Sequence, residues 1–226
     1  MPATDFFPKA IIFDHDGTLV DSERSHWKSW NETVHALSDG KVTISEEQYK
    51  QHCAGRTTLD TARYIQQHLL PDLDDDALYQ IQRKARDADP GGAHPLLACA
   101  DSAVRSLQKR FPLAIATGAE RYSIDKTLKA YQWQSYFSAI ATTSDVANPK
   151  PAPDVYRKAA HDLGLPPHQC LAIEDSQAGF RSATAAGCVT VLVASEFSPQ
   201  EWAPANTIIL ASLCELETFI DQGDFT

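Results

Sequence analysis

The chain has 226 residues, 43% of them hydrophobic and 22% charged, ordinary globular proportions and enough length for a substantial core in one large or two modest domains. Its net charge of −10 argues against nucleic acid or an anionic membrane as partner, because phosphate backbones are bound by clustered Lys and Arg. A small phosphate ester is not excluded, since local positive groups or a bound cation can invert the field at one site.

In chain order, the first predicted element is a buried strand over Ala10–Phe13, an uninterrupted apolar run that stops at Asp14-His15-Asp16-Gly17-Thr18. From Ser22 to about Asp89 helical spacing takes over. Trp27, Trp30, Val34 and Leu37 lie on one helical face, Ser45 with Gln48 forms a capping-box pattern, and Asp74-Asp75-Asp76 stands at a helix start with Arg83, Lys84 and Arg86 in its last turns. A punctuated stretch, Asp89-Pro90-Gly91-Gly92-Ala93-His94-Pro95, reads as a connector.

Beyond it, helix and apolar strand alternate. A helix near Ala98–Arg110 precedes the strand PLAIAT, a helix near Arg121–Tyr131 precedes a strand near Phe137–Thr142, and a helix over Pro153–Leu163 precedes CLAIED. A helix through Ala186, the strand VTVLVAS, a short strand TIIL at 207–210 and a C-terminal helix complete the chain. This alternation implies a parallel sheet covered on both faces, with the helical block inserted after its first strand. Ligands of such sheets bind beyond the C-terminal strand ends. The insertion is therefore expected to act as a lid with hinges near 20–21 and 90–95.

Cys53, Cys99, Cys170, Cys188 and Cys214 are odd in number, widely spaced and free of a CxxC pair. They read as reduced, mostly buried thiols rather than a disulfide framework or a zinc site. No basic segment followed by an apolar one opens the sequence, and no apolar stretch reaches 18 residues. A cytoplasmic protein that does not engage membranes is the expectation.

Four strand ends carry chemistry. Asp14 and Asp16, two apart in extended chain, project to the same side. An EF-hand does not fit, because Gly17 is the fourth residue and Ser25 the twelfth counted from Asp14. A plain Asp-Gly turn explains neither the second acid nor the buried lead-in. Thr117-Gly118-Ala119 after PLAIAT offers a hydroxyl and backbone N–H groups at a helix start, a phosphate cradle that taken alone is also a common turn. Lys150, between Pro149 and Pro151 and ahead of a helix, is held extended at a loop, where its ammonium can offset carboxylate and phosphoryl charge. Glu174-Asp175-Ser176 reads either as a helix N-cap or as a pair of acids beside Asp14.

The segment Asp14-His15-Asp16-Gly17-Thr18 resembles the first motif of haloacid-dehalogenase-like phosphatases, Asp-x-Asp-Gly-Thr. With Thr117, Lys150 and Glu174/Asp175 following in order, the whole chain resembles that family. The resemblance implies a Rossmann-like α/β core from 1–20 and 95–226, a small helical C1-type cap from 21–94, and dependence on Mg²⁺. It further implies that Asp14 is the nucleophile that becomes an aspartyl phosphate and that Asp16 is the general acid and base. Asp14, the backbone carbonyl of Asp16 and Asp175 would hold the ion, which prefers about six oxygens, with Glu174 behind them or bridging through water. Gly118 departs from the Asn usual in the second motif.

Within the cap, His26 after Asp21 and Glu23 resembles the hinge histidine of the β-phosphoglucomutase and sugar-phosphatase subfamily. Gly55-Arg56-Thr57 resembles a cap loop that presents Arg56 to substrate, and Lys84 is a further candidate. Thr18 with Thr117-Gly118-Ala119-Glu120 looks more like fructose-1-phosphate and related hexose-phosphate phosphatases, so hydrolysis of a small sugar phosphate is the favoured expectation, by a monomer. A sugar-phosphate mutase and a catalytically silent binding module are the alternatives.

Overall fold

The computed structural model describes residues 6–54, 58–88, 93–197 and 200–225, with backbone alone at 83 and 85–88. The chain divides into two compact units, one of Ser22–Gly91 with Glu196–Ser198 and one of the remainder.

The larger unit is built on six parallel strands: β1 (Ala10–Phe13), β2 (Leu113–Ala116), β3 (Phe137–Ala141), β4 (Cys170–Glu174), β5 (Val189–Val193) and β6 (Ile209–Leu210). Their order in the sheet is β3-β2-β1-β4-β5-β6. Chain order reverses between β1 and β4, which are hydrogen-bonded neighbours in the register Phe13 to Ile173. That is the switch point at which open α/β sheets bind ligands. Every residue of β1, β2 and β4 is buried, as a sheet covered on both faces demands.

Strand alternation divides the core. Ile11 and Phe13 face one layer with α5 (Ala100–Leu107), α6 (Arg121–Tyr131) and α9 (Leu216–Gln222), through Val104, Leu107, Leu128 and Phe219. Ala10 and Ile12 face the other layer, where Tyr156 and Ala159 of α7 (Asp154–Asp162) and Ala183 of α8 (Gln177–Ala186) pack. Ala10, Ala114, Ala116, Ala139, Ala141 and Ala172 make that second face flat, so α7 can approach closely.

Two expectations need correction. Cys99 and Cys214 form a disulfide, whereas Cys53, Cys170 and Cys188 are free and buried. The bridged residues lie 115 apart in sequence, and tertiary packing rather than any spacing signature brings them together. The TIIL strand is only Ile209–Leu210, because the Thr207 N–H turns back to Pro204 O.

The second unit contains α1 (Ser22–Leu37), α2 (Glu46–His52), α3 (Thr58–His68) and α4 (Asp75–Ala88) around Trp30, Val34, Tyr49, Ile65 and Leu78. The capping box of Ser45 and Gln48 is present, and Asp74 accepts from the Ala77 N–H at the start of α4. On α1 the buried stripe is Trp30, Thr33 and Val34, while Leu37 is exposed. Thr33 donates to Gln82 at 2.8 Å, and Gln82 donates to Ser29 at 2.9 Å, so a polar bridge joins α1 and α4. Phe197 arrives from far along the chain to pack edge-on against Tyr49. None of the described helices is long and apolar enough to cross a membrane.

Candidate active site

The site grows from the ends of β1 and β4. Asp14 follows the last residue of β1, its N–H held by Ile173 O at 2.9 Å. One register step away, β4 ends in Glu174 and runs into Asp175. Asp14, Glu174 and Asp175 are all buried, and one carboxylate oxygen from each lies within 4.8 Å of the others.

Lys150 answers two of these acids directly. Lys150 Nζ stands 2.7 Å from Asp14 Oδ1 and 2.6 Å from Glu174 Oε1. Its backbone is in a turn closed by the Ala152 N–H on Pro149 O, rather than extended. Asn148 donates to Asp154 at 2.9 Å and ties the turn to the start of α7. Burial disfavours the ammonium, yet the two carboxylates hold its pKa above the usual lysine value.

Glu174 is saturated. Oε1 accepts from Lys150 and from the Tyr156 hydroxyl at 2.8 Å, and Oε2 accepts from the N–H groups of Asp175 and Ser176 and from Ser176 Oγ. It holds Lys150 in place, leaving Asp14 and Asp175 as the acids of the trio better placed for an additional cation. Tyr156 was not legible as a site residue. Its hydroxyl sits on Glu174 and its ring lies 5.1 Å beneath the Lys150 ammonium.

Gly17 has φ +81°, and an added Cβ there would overlap the Asp175 carboxylate. Only glycine combines that left-handed backbone with such close approach. Thr18 Oγ1 donates to Asp175 Oδ1 at 3.2 Å, so the residue after the glycine orients the acid from β4. Asp16 lies just beyond, with 28% of its side chain exposed, and His15 Nδ1 approaches its Oδ2 at 3.2 Å.

Burial drives the Asp14 carboxyl up to about 7; Lys150 pulls it down, and Glu174 and Asp16 push it further up. Burial would lower the His15 pKa, but the adjacent carboxylates of Asp16 and Asp14 hold it above the usual value.

Thr117 is buried at the end of β2. The expected set of open amides is smaller than the sequence suggested: the Thr117 N–H is taken by Ala141 O at 3.0 Å, and the Ala119 N–H bonds Thr117 Oγ1 at 2.9 Å. The Thr117 hydroxyl proton and the exposed Gly118 backbone remain for an anion.

Glu23, His26 and Lys84 belong to the helical unit. Glu23 accepts from the Tyr49 hydroxyl at 3.0 Å, His26 is on α1, and Lys84 is exposed on α4. Arg56 lies outside the described residues.

A Rossmann-type sheet brings a buried aspartate, its lysine partner and the acids of the neighbouring strand together at its switch point, where α/β enzymes bind their ligands. The family model for haloacid dehalogenase-like hydrolase matches residues 11–193, and the chain belongs to that family. Protein CbbY of Rhodobacter capsulatus is 36% identical over 84% of this chain and 87% of its own length. Fructose-1-phosphate phosphatase YqaB of Escherichia coli is 32% identical over 78% of this chain and 92% of its own. Among solved structures, a CbbY variant from Rhodobacter sphaeroides in complex with xylulose-(1,5)bisphosphate superimposes with a TM-score of 0.70 at 27% identity, covering 93% of this chain and 96% of that one. With these relatives the chain falls in the phosphatase branch of the family.

Proposed function

We propose that the protein is a Mg²⁺-dependent phosphatase of small sugar phosphates that works through an aspartyl phosphate on Asp14. The observation that carries this reading is the pairing of Asp14 with Lys150 at 2.7 Å at the switch point of the sheet. A buried carboxylate there is held facing outward from a strand end, with a positive group fixed beside it.

The donor set fits a hard divalent cation. Among the described residues, Asp14, Glu174 and Asp175 each bring a buried carboxylate oxygen to one place, and an all-oxygen ligand set suits such an ion. Asp14, Asp175 and the backbone carbonyl of Asp16 would hold it, with Glu174 behind them on Lys150. When bound, such an ion offsets charge on the transferred phosphoryl oxygens.

The chain's own groups do the rest. An Asp14 oxygen bonds to phosphorus as the bond to the alcohol oxygen breaks, and the electron pair goes to that oxygen, which takes a proton from Asp16. Water then attacks the phosphorus of the aspartyl phosphate and gives its proton to Asp16, while the phosphorus–oxygen bond to Asp14 breaks, its electron pair returns to the Asp14 carboxylate and inorganic phosphate leaves. Lys150, the Thr117 hydroxyl and the Gly118 amide would hold the phosphoryl oxygens in line. Substrate choice is assigned to the helical unit, where Glu23, His26, Arg56 and Lys84 are the candidates.

The 32% identity to fructose-1-phosphate phosphatase YqaB supports hydrolysis over isomerisation. The test is release of inorganic phosphate by the full chain from a panel of hexose, pentose and triose phosphates, with and without Mg²⁺. Metal-dependent release that vanishes in Asp14→Asn is expected; full activity in that variant, or sugar-phosphate isomerisation without release, overturns the reading.

A further inference from the structure

His15 stands between the two aspartates of the first motif and is completely buried. An apolar side chain would fill that place without a desolvation cost, whereas an imidazole must satisfy two nitrogens. Nε2 meets Thr127 Oγ1 of α6 at 3.0 Å. The Thr127 hydroxyl in turn points at Ser123 O one helical turn earlier, at 3.5 Å. Its proton is directed there, and its lone pairs are left for Nε2–H.

That anchor fixes the ring and aims Nδ1 the other way. Nδ1 is buried, makes no hydrogen bond of good alignment, and has Asp16 Oδ2 at 3.2 Å. Asp16 is the more exposed of the pair, with 28% of its side chain open to solvent. A side chain partly open to solvent can adopt more than one rotamer, and a buried contact on one of its oxygens narrows that choice. The buried chain from Ser123 through Thr127 and His15 ends on one of its oxygens.

We infer that His15 is a positioning residue which, anchored by Thr127, fixes the Asp16 carboxyl in the orientation from which it protonates the leaving oxygen. The inference rests on the phosphatase reading given above. A general acid contributes only when its proton lies on the line to the departing atom, so its placement is worth part of the roughly 10²–10⁴-fold that acid catalysis supplies. The step balances as before: the phosphorus–oxygen bond breaks, the leaving oxygen keeps the electron pair, and that oxygen takes the Asp16 proton. Loss of the imidazole would leave Asp14, Lys150 and the phosphoryl contacts in place.

The experiment separates positioning from packing by the leaving group. A series of substituted phenyl phosphates, from 4-nitrophenyl to 4-methoxyphenyl, is followed in single turnover with Mg²⁺ for wild type, His15→Met, His15→Asn and Thr127→Val. A nitrophenolate leaves without help, whereas a methoxyphenolate needs the proton. In H15M we expect the 4-nitrophenyl rate to stay within about 3-fold of wild type while the 4-methoxyphenyl rate falls on the order of 30–100-fold. H15N, which returns a polar group next to Asp16, restores part of the loss.

T127V, isosteric and remote from the reacting atoms, moves the series in the same direction by less, and it carries the test if H15M does not fold. A uniform fall across the series, or no change, overturns the inference while leaving the phosphatase reading intact. Failure of the wild-type chain to release phosphate from both the phenyl phosphates and the sugar-phosphate panel overturns that reading and the inference with it.

Discussion

Gly179 leaves the space that Glu174 fills: a Cβ built on this glycine, in the first turn of α8, would overlap the Glu174 carboxylate. That carboxylate cannot swing aside cheaply, because both its oxygens are bonded, one to Lys150 and Tyr156 and the other to the start of α8. Gly179→Ala should therefore destabilise by about 1–3 kcal/mol as an overpacked core site and should reduce phosphate release by displacing the group that holds Lys150. Gly118→Ala is the control for stability, since no heavy atom lies within 4 Å of its Cβ position. Thermal melts of the two variants should differ, with only G179A shifted downward.

Lys150 is the positive partner of two buried acids, and removing it leaves both uncompensated. Lys150→Met is expected to cost on the order of 3–5 kcal/mol, the usual range for a broken buried pair, and to abolish measurable turnover. The double variant Lys150→Met, Glu174→Gln should recover much of the stability by removing one of the stranded charges, without recovering activity. Urea unfolding and phosphate release, measured on the same preparations, separate the two effects. Equal stability of the single and double variants would mean that Glu174 does not depend on Lys150.

The sheet was legible because its strands are continuous apolar runs at helix-length intervals, and Asp14, Thr117, Lys150 and Glu174 were legible because each ends such a run or sits between prolines. What escaped was whatever depends on contacts between distant segments. Tyr156 reads as an ordinary apolar position of α7, yet its hydroxyl lies on Glu174. His15 looks like the unspecified middle of a motif until Thr127, 112 residues away, is placed against its ring. Cys99 and Cys214 carry no spacing signal at all, and the bond between them is a product of packing. Phe197 likewise gives no sign in its neighbourhood that it packs with the helical unit.

A divalent cation bound by the acids of β1 and β4 should stabilise the folded chain by mass action, about 2.7 kcal/mol at a concentration 100 times its dissociation constant. Mg²⁺ is expected to raise the melting temperature of the wild type and to leave that of Asp175→Asn unmoved, while EDTA returns the wild type to its metal-free value. This reading is independent of turnover. An equal rise in D175N would place the ion elsewhere.

Acid stability should depend on Asp101. Both its oxygens accept from Arg105 Nε, at 2.8 and 2.9 Å, and Oδ1 also accepts from the indole of the buried Trp133 at 2.9 Å. The Arg105 hydrogen bonds hold the carboxyl below its usual range, burial opposes them, and the Trp133 indole adds to the lowering. A pKa lower in the folded chain than in the unfolded one stabilises at pH values above the unfolded pKa of about 3.9, and that contribution is lost as pH falls through the folded value. Because the side chain is 46% exposed, solvent screens the pair and the contribution is modest. In Asp101→Asn the difference in melting temperature from wild type should be largest near neutral pH and shrink toward pH 3; a constant difference would show that the charge of Asp101 is not the source of the effect.

The Cys99–Cys214 bridge joins the residue before α5 to the turn before α9, both packed on the same face of the sheet. Closing so long a segment removes conformational freedom from the unfolded chain, and bridges of this kind contribute about 2–5 kcal/mol. Cys214→Ser is expected to lower the urea midpoint and to leave phosphate release unchanged, since neither cysteine borders Asp14, Lys150 or Asp175. Reductant should shift the wild-type midpoint toward that of C214S and should not move C214S itself. A wild-type midpoint indifferent to reductant would show that the two thiols contribute by packing alone.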